Sequence, residues 1–140
     1  MKPYRQAIAL IFYNDNKVLT VKRSGLSDSF PNFWSLPSTW LAEGETTLQA
    51  AQRLTQRKLG LHSIHVAQKP VGHSEADRGT YILQMSDYEV IEPYGDIRLN
   101  PEIYVDMRWV TPQELKKVID KEHNGVMGEC CRAFLQSKGL

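Results

Sequence analysis

Residues 44–61 constrain this chain more than any other stretch. Thr46 to Leu59 reads as one helix, because Leu48, Ala51, Thr55 and Leu59 recur at spacings of three and four and form one inward stripe. Gly60 supplies a C-terminal stop. The helix contains no acid, yet it carries Arg53, Arg57 and Lys58. Residues 54, 57 and 58 stand at i, i+3 and i+4 and therefore share one helix face. Here that face offers a leucine, a guanidinium and an ammonium, none of which supplies an oxygen ligand to a hard cation.

The flanking sequence fits an α/β chain. Ala7 to Tyr13 is a continuous apolar run, as in a strand buried on both faces, and Asn14-Asp15-Asn16 is a turn by composition. Lys17 to Arg23 reads as the returning strand of a hairpin, and Ser24 to Asn32 as a loop. A short apolar stretch, Phe33-Trp34-Ser35-Leu36-Pro37, follows. Further strands are predicted at Ile64–Lys69, Thr80–Met85 and Ile103–Val110, with a turn-rich connection over Glu92–Asp96. Thr111-Pro112-Gln113-Glu114 combines a hydroxyl N-cap, a proline at the first helical position and a capping-box glutamate. The helix it opens is predicted to reach Asp120. A last helix is predicted over Val126–Ser137, with Val126, Met127, Cys130, Ala133 and Phe134 inward. This order implies a mixed sheet covered on two faces.

At 140 residues the chain is expected to be one domain, residues 1–140, with enough length to bury a core. With 24% charged residues and a net charge of +1, nothing global points to a nucleic-acid or membrane partner. Adjacent Cys130 and Cys131 make no disulfide framework, which places the protein by default in a reducing cytoplasm. His62, His65, His73 and His123 form no metal-ligand pattern, and no nucleophile motif supports a Ser/His/Asp triad.

Gly44-Glu45, Arg53 after seven intervening residues, and Gly60-Leu61 resemble the signature of the Nudix hydrolase family, G-x5-E-x7-R-E-U-x-E-E-x-G-U, with U a bulky aliphatic residue. Trp34-Ser35-Leu36-Pro37 resembles the family's lead-in. Met107 to Leu115 resembles its strand-to-helix passage near the C-terminus. The resemblance covers roughly the whole chain and implies an α/β/α sandwich with a mixed sheet. It also implies that Glu45 and Arg53 form a structural ion pair bracing the loop before the helix. The family's magnesium-binding glutamates fall at Leu54, Arg57 and Lys58, and the family's two glycines at Ser38 and Thr39. The signature is therefore degenerate where it would hold metal.

Arg57 and Lys58 have two readings: a solvated helix face, or a direct phosphate site extended by Lys22 and Arg23. Trp40 lies in the loop bordering the family's cleft, placed to stack on a base. Three functions stay open. The leading one binds a nucleotide or other small diphosphate compound with little or no metal-dependent hydrolysis, and needs no cofactor or metal. The second is an active Nudix hydrolase cleaving a nucleoside diphosphate linked to another moiety. It would use magnesium held from outside the box, by Glu43, Glu45 or the eight acids between Glu75 and Asp106. The third is a non-catalytic interaction module. The residues name neither the ligand nor the oligomeric state.

Overall fold

A computed structural model describes residues 1–140. Nine strands and three helices follow in order: β1 Tyr4–Ile11, β2 Tyr13–Asn14, β3 Lys17–Arg23, β4 Trp34–Ser35, β5 Ser38–Trp40, α1 Thr47–Lys58, β6 His65–Val66, β7 Gly72–Asp77, β8 Ile82–Ile91, β9 Tyr104–Val110, α2 Pro112–His123 and α3 Glu129–Ser137. One sheet is mixed: β1 runs parallel to β8 and antiparallel to β5, while β6 and β7 pair antiparallel with β8. In the other, β3 pairs antiparallel with β2, β4 and β9.

Strand β1 is apolar on both faces because both are covered. Ala7, Ala9 and Ile11 pack with Leu115 and Ile119 of α2 and with Cys130, Cys131 and Phe134 of α3. Ile8, Leu10 and the following Phe12 pack with Ala50, Ala51 and Leu54 of α1. The two apolar clusters make a three-layer α/β arrangement with sheet in the middle. No helix is long and apolar enough to cross a membrane.

The predicted inward stripe of α1 needs correction at its start. Leu48 is 50% exposed, and no helix residue before Ala50 is buried. Leu48 sits in the first turn, before the helix reaches the core, so the buried face is Ala50, Ala51, Leu54 and Thr55. Thr46 caps the helix through a reciprocal box with Gln49. Gly60 has φ +67°, and a Cβ there would stand 3.0 Å from the Arg98 carbonyl oxygen, so the stop requires glycine.

Other boundaries shift as well. The predicted strand Ile64–Lys69 shrinks to β6, and Thr80–Met85 becomes the longer β8. Helix α2 runs on to His123, where Asn124 in a left-handed conformation ends it. Helix α3 begins only at Glu129, after Gly128 as N-cap, and Val126 is exposed. Strand β7 was not foreseen at all. Its sheet positions facing α3 are Gly72, Ser74 and Ala76, small residues that give no apolar alternation. They are small because α3 comes very close: a Cβ on Gly72 would lie 2.4 Å from the Ala133 carbonyl oxygen.

Candidate ligand cleft

Strand β5 has three residues, pairs along its length with β1, and is tied further by cations. Arg53 donates through Nε and Nη2 to the two carboxylate oxygens of Glu45, each at 2.9 Å. Its Nη1 donates to Thr39 Oγ1 at 3.1 Å and its Nη2 to the Trp40 carbonyl at 2.6 Å. Glu45 also accepts the Ala42 N–H at 2.9 Å, closing the turn before α1. The side chains of Arg53 and Glu45 are 28% and 14% exposed. The Arg53 guanidinium, helped by the Ala42 N–H, holds the Glu45 carboxyl down to about 2.

Lys58 approaches the same strand. Its Nζ donates to the Ser38 carbonyl at 2.7 Å, with the Tyr104 ring 5.8 Å from the ammonium. Burial pushes its pKa down to about 8, and repulsion from Arg23 and Arg53 adds to the shift. Arg23 reaches Ser38 from the other side: Nη2 donates to Ser38 Oγ at 3.3 Å and to Ser35 Oγ at 3.4 Å, and Nη1 to Ser29 Oγ at 3.1 Å. The Arg23 Nε is buried without a partner. Five ion pairs form in the molecule, and neither Lys58 nor Arg23 belongs to one. Two cations thus converge on Ser38 without a carboxylate partner.

Arg23, Ser38 and Thr39 form one wall of a cavity of about 130 Å³. Its floor is a row of cross-strand neighbours in the mixed sheet, Trp40, Ala7 and Met85, in which Ala7 leaves space between larger residues. Phe30, Tyr81 and Arg78 stand around it, and the α3 N-terminus contributes Gly128, Glu129 and Cys130. Glu129 is only 7% exposed. It accepts a hydrogen bond from Ser74 Oγ and another from Arg132 Nε at 3.3 Å.

Of the four cations singled out from the sequence for phosphate, the structure brings Arg23 and Lys58 together. Arg57 is exposed, with its carbonyl accepting from Asn100 at 3.2 Å, and neither Lys22 nor Lys58 lines the cavity. Trp40 borders the cavity, but the Arg5 guanidinium already stacks 4.1 Å over its ring. Phe30, Tyr81 and Glu129 were not singled out from the sequence. Glu129 had one visible signal, a lone carboxylate inside the apolar stretch from Val126 to Phe134.

The NUDIX domain model matches residues 3–130. The chain belongs to the Nudix family. An uncharacterized Nudix hydrolase of Listeria innocua is 31% identical over 109 residues, 76% of this chain and 62% of that protein. A Listeria monocytogenes relative, also an uncharacterized Nudix hydrolase, matches to the same extent. The chain thus spans less than two thirds of the length of these curated relatives. Among solved Nudix-fold structures, the MutT protein from Methanosarcina mazei Go1 superposes with TM-score 0.73 at 16% identity, covering 97% of this chain and 91% of that one. The E. coli ORF135 protein gives 0.71 at 21%, covering 83% and 79%. The NUDIX domain of Shewanella oneidensis NrtR, solved with ADP ribose, gives 0.63 at 16%, covering 99% and 87%. At these identities the structural likeness establishes the Nudix fold alone.

Proposed function

We propose that this Nudix domain binds a nucleotide or other small diphosphate compound through side-chain cations, with little or no metal-dependent hydrolysis. The observation that carries the reading is Lys58. At a helix position where the family signature has a metal-binding glutamate, an ammonium lies against the Ser38 carbonyl beside Arg23, with no carboxylate paired to it. Two cations that meet one short strand with no carboxylate between them suit an anion with several oxygens.

The residues present do not fit a magnesium ion. Leu54 is fully buried and offers no oxygen, and Arg57 and Lys58 are cationic. Like charges at 4 Å repel by roughly 4 kcal/mol per unit pair at an effective dielectric near 20. Nowhere do three His, Cys, Asp or Glu side chains converge as a cation site would require. Glu45, which the hydrolase reading would recruit, is engaged by Arg53 and the Ala42 N–H. Magnesium-dependent chemistry is therefore assigned no role here. The two unbridged cysteines support a cytoplasmic setting. Of the fold neighbours, the NrtR domain holds ADP ribose, a diphosphate compound, and so supports this ligand class.

The experiment is calorimetric titration with nucleoside diphosphates in EDTA and in magnesium, alongside a product assay. Binding that survives EDTA, with no magnesium-dependent turnover, is the expected result. Robust magnesium-dependent hydrolysis by the purified protein would sink it.

A further inference from the structure

Strand β5 has one edge away from β1, and Ser38 turns its backbone groups toward it. The Pro37 carbonyl and the Leu41 N–H bond inward to β1. The alternation of an antiparallel ladder therefore points the Ser38 carbonyl and N–H outward. Three elements meet there. Lys58 of α1 donates to the carbonyl at 2.7 Å, the Tyr104 hydroxyl of β9 accepts the N–H at 3.3 Å, and Arg23 of β3 donates to Oγ at 3.3 Å.

Lys58 has a structural use, since it ties β5 and a cation in the last turn of α1 suits the helix dipole. That use does not require a second cation at Ser38, and it leaves donors over. Arg23 Nε is buried without a partner. Burial pushes the Tyr104 pKa up to about 12, against the pull of Arg23 and the Ser38 N–H, so its hydroxyl keeps a proton to donate. Cations and donors gathered without an acid suit an anion. Of the cations that bear on Lys58, Arg53 is already engaged by Glu45, which leaves Arg23 to match new negative charge. Lys58 can carry that charge itself. Its pKa of about 8 leaves about a tenth of the amines neutral at pH 7, against less than about a thousandth for an ordinary lysine. The side chain is not fully buried, so a small molecule reaches it.

We propose that the Lys58 amine takes up carbon dioxide as a carbamate, which accepts from the Tyr104 hydroxyl and is charge-matched by Arg23. The neutral nitrogen's lone pair forms the N–C bond, one C=O π pair moves onto oxygen, and an N–H proton leaves to water. Counted from the ammonium, R–NH₃⁺ and CO₂ give R–NH–COO⁻ and two protons. The nitrogen keeps one N–H for the Ser38 carbonyl. A cation at this position becomes an anion, so carbon dioxide and a diphosphate exclude each other. That exclusion rests on the diphosphate-binding reading; the carbamate does not.

The test uses the whole protein at about pH 8, in degassed buffer and in ¹³C-bicarbonate at matched ionic strength, as wild type, Lys58→Arg and Tyr104→Phe. Carbamate is read by ¹³C NMR, fixed by alkylation with triethyloxonium and located by peptide mass spectrometry, which separates Lys58 from the α-amine of Met1. Wild type is expected to carry the label on Lys58. Lys58→Arg should carry none there, because a guanidinium stays protonated and is no nucleophile. Tyr104→Phe keeps the ring and removes the donor, and should lower occupancy about 10-fold at subsaturating bicarbonate. Calorimetry with inorganic pyrophosphate in EDTA should show affinity at least about 10-fold weaker in bicarbonate for wild type, the scale of one lost charge-assisted hydrogen bond. No carbamate on the Lys58 peptide overturns the inference and leaves diphosphate binding standing. A bicarbonate effect that persists in Lys58→Arg is anion competition and overturns the exclusion, as does carbamate with unchanged pyrophosphate affinity. Carbamate on Lys58 with no pyrophosphate binding in either buffer overturns the diphosphate reading and leaves the carbamate standing.

Discussion

Lys58 holds its ammonium against the Ser38 carbonyl with no acid to compensate it, and that arrangement has a stability cost. Its folded pKa of about 8 lies below the ordinary lysine value of about 10.4. Between these values the unfolded chain binds more protons, so stability rises with pH across that window. Below about pH 8 the full cost of burying the charge is present. Lys58→Met should therefore stabilise the free protein at pH 7 by about 1–3 kcal/mol, after allowing for the lost bond to Ser38. The same variant should lose pyrophosphate binding. Urea denaturation and calorimetry read the two effects separately, and a destabilised Lys58→Met would contradict the account of an uncompensated cation. Asp87 behaves in the opposite sense. It is fully buried, neither carboxylate oxygen has a hydrogen-bond partner, and burial pushes its pKa up to about 9. The folded protein keeps that proton where the unfolded chain loses it, so stability is greatest below about pH 4 and falls as pH rises toward 9. The loss from pH 4 to pH 7 is about 4 kcal/mol, and Asp87→Asn should flatten the profile measured by denaturation at each pH.

At the scale of elements, β5 shows how a short strand is kept in place. Arg53 ties Thr39 and Trp40 to Glu45, and Lys58 and Arg23 hold Ser38. Arg53→Ala removes the first of these ties and frees the Glu45 turn. It should lower the melting temperature by about 5–10 °C and weaken any ligand that depends on β5. An unchanged melting temperature would show that β5 is held by its pairing with β1 alone. Helix α1 and its Gly60 stop, the capping box at Thr111 and the doubly covered β1 were all legible, because each depends on local chemistry or on an unbroken apolar pattern. Strand β7 was not, because its inward residues are sized by a helix nearly sixty residues away. The cavity was half legible. Its Ser38–Trp40 edge lies just before the signature, whereas Glu129 and Phe30 arrive through tertiary packing that no local pattern encodes. Gly72→Ala tests the reason β7 was missed. The added methyl meets the backbone of Ala133, so the variant should lose about 2–3 kcal/mol and separate Ser74 from Glu129.

Across the whole molecule, the layers bring the basic helix α1 from one face of the sheet, and Arg23 of β3, to the short strand β5. A ligand held there by charge should stabilise the fold without a metal. At a pyrophosphate concentration 100 times its dissociation constant, binding to the native state contributes about 2.7 kcal/mol. For a chain of this length that is a rise in melting temperature of about 10 °C. The rise should appear in EDTA, because the cations are side chains and cannot be chelated. It should shrink in 1 M salt, where screening shortens the reach of charge to about 3 Å. It should also fade as pH rises through about 8, where Lys58 loses its proton, whereas Lys58→Arg should hold it to higher pH because guanidinium stays charged. Charge reversal at both helix positions, Arg57→Glu with Lys58→Glu, should abolish the rise. Magnesium should not replace it in that variant, since Leu54 still presents no carboxylate. A rise that needs magnesium in the unaltered protein would return the molecule to the metal-dependent reading.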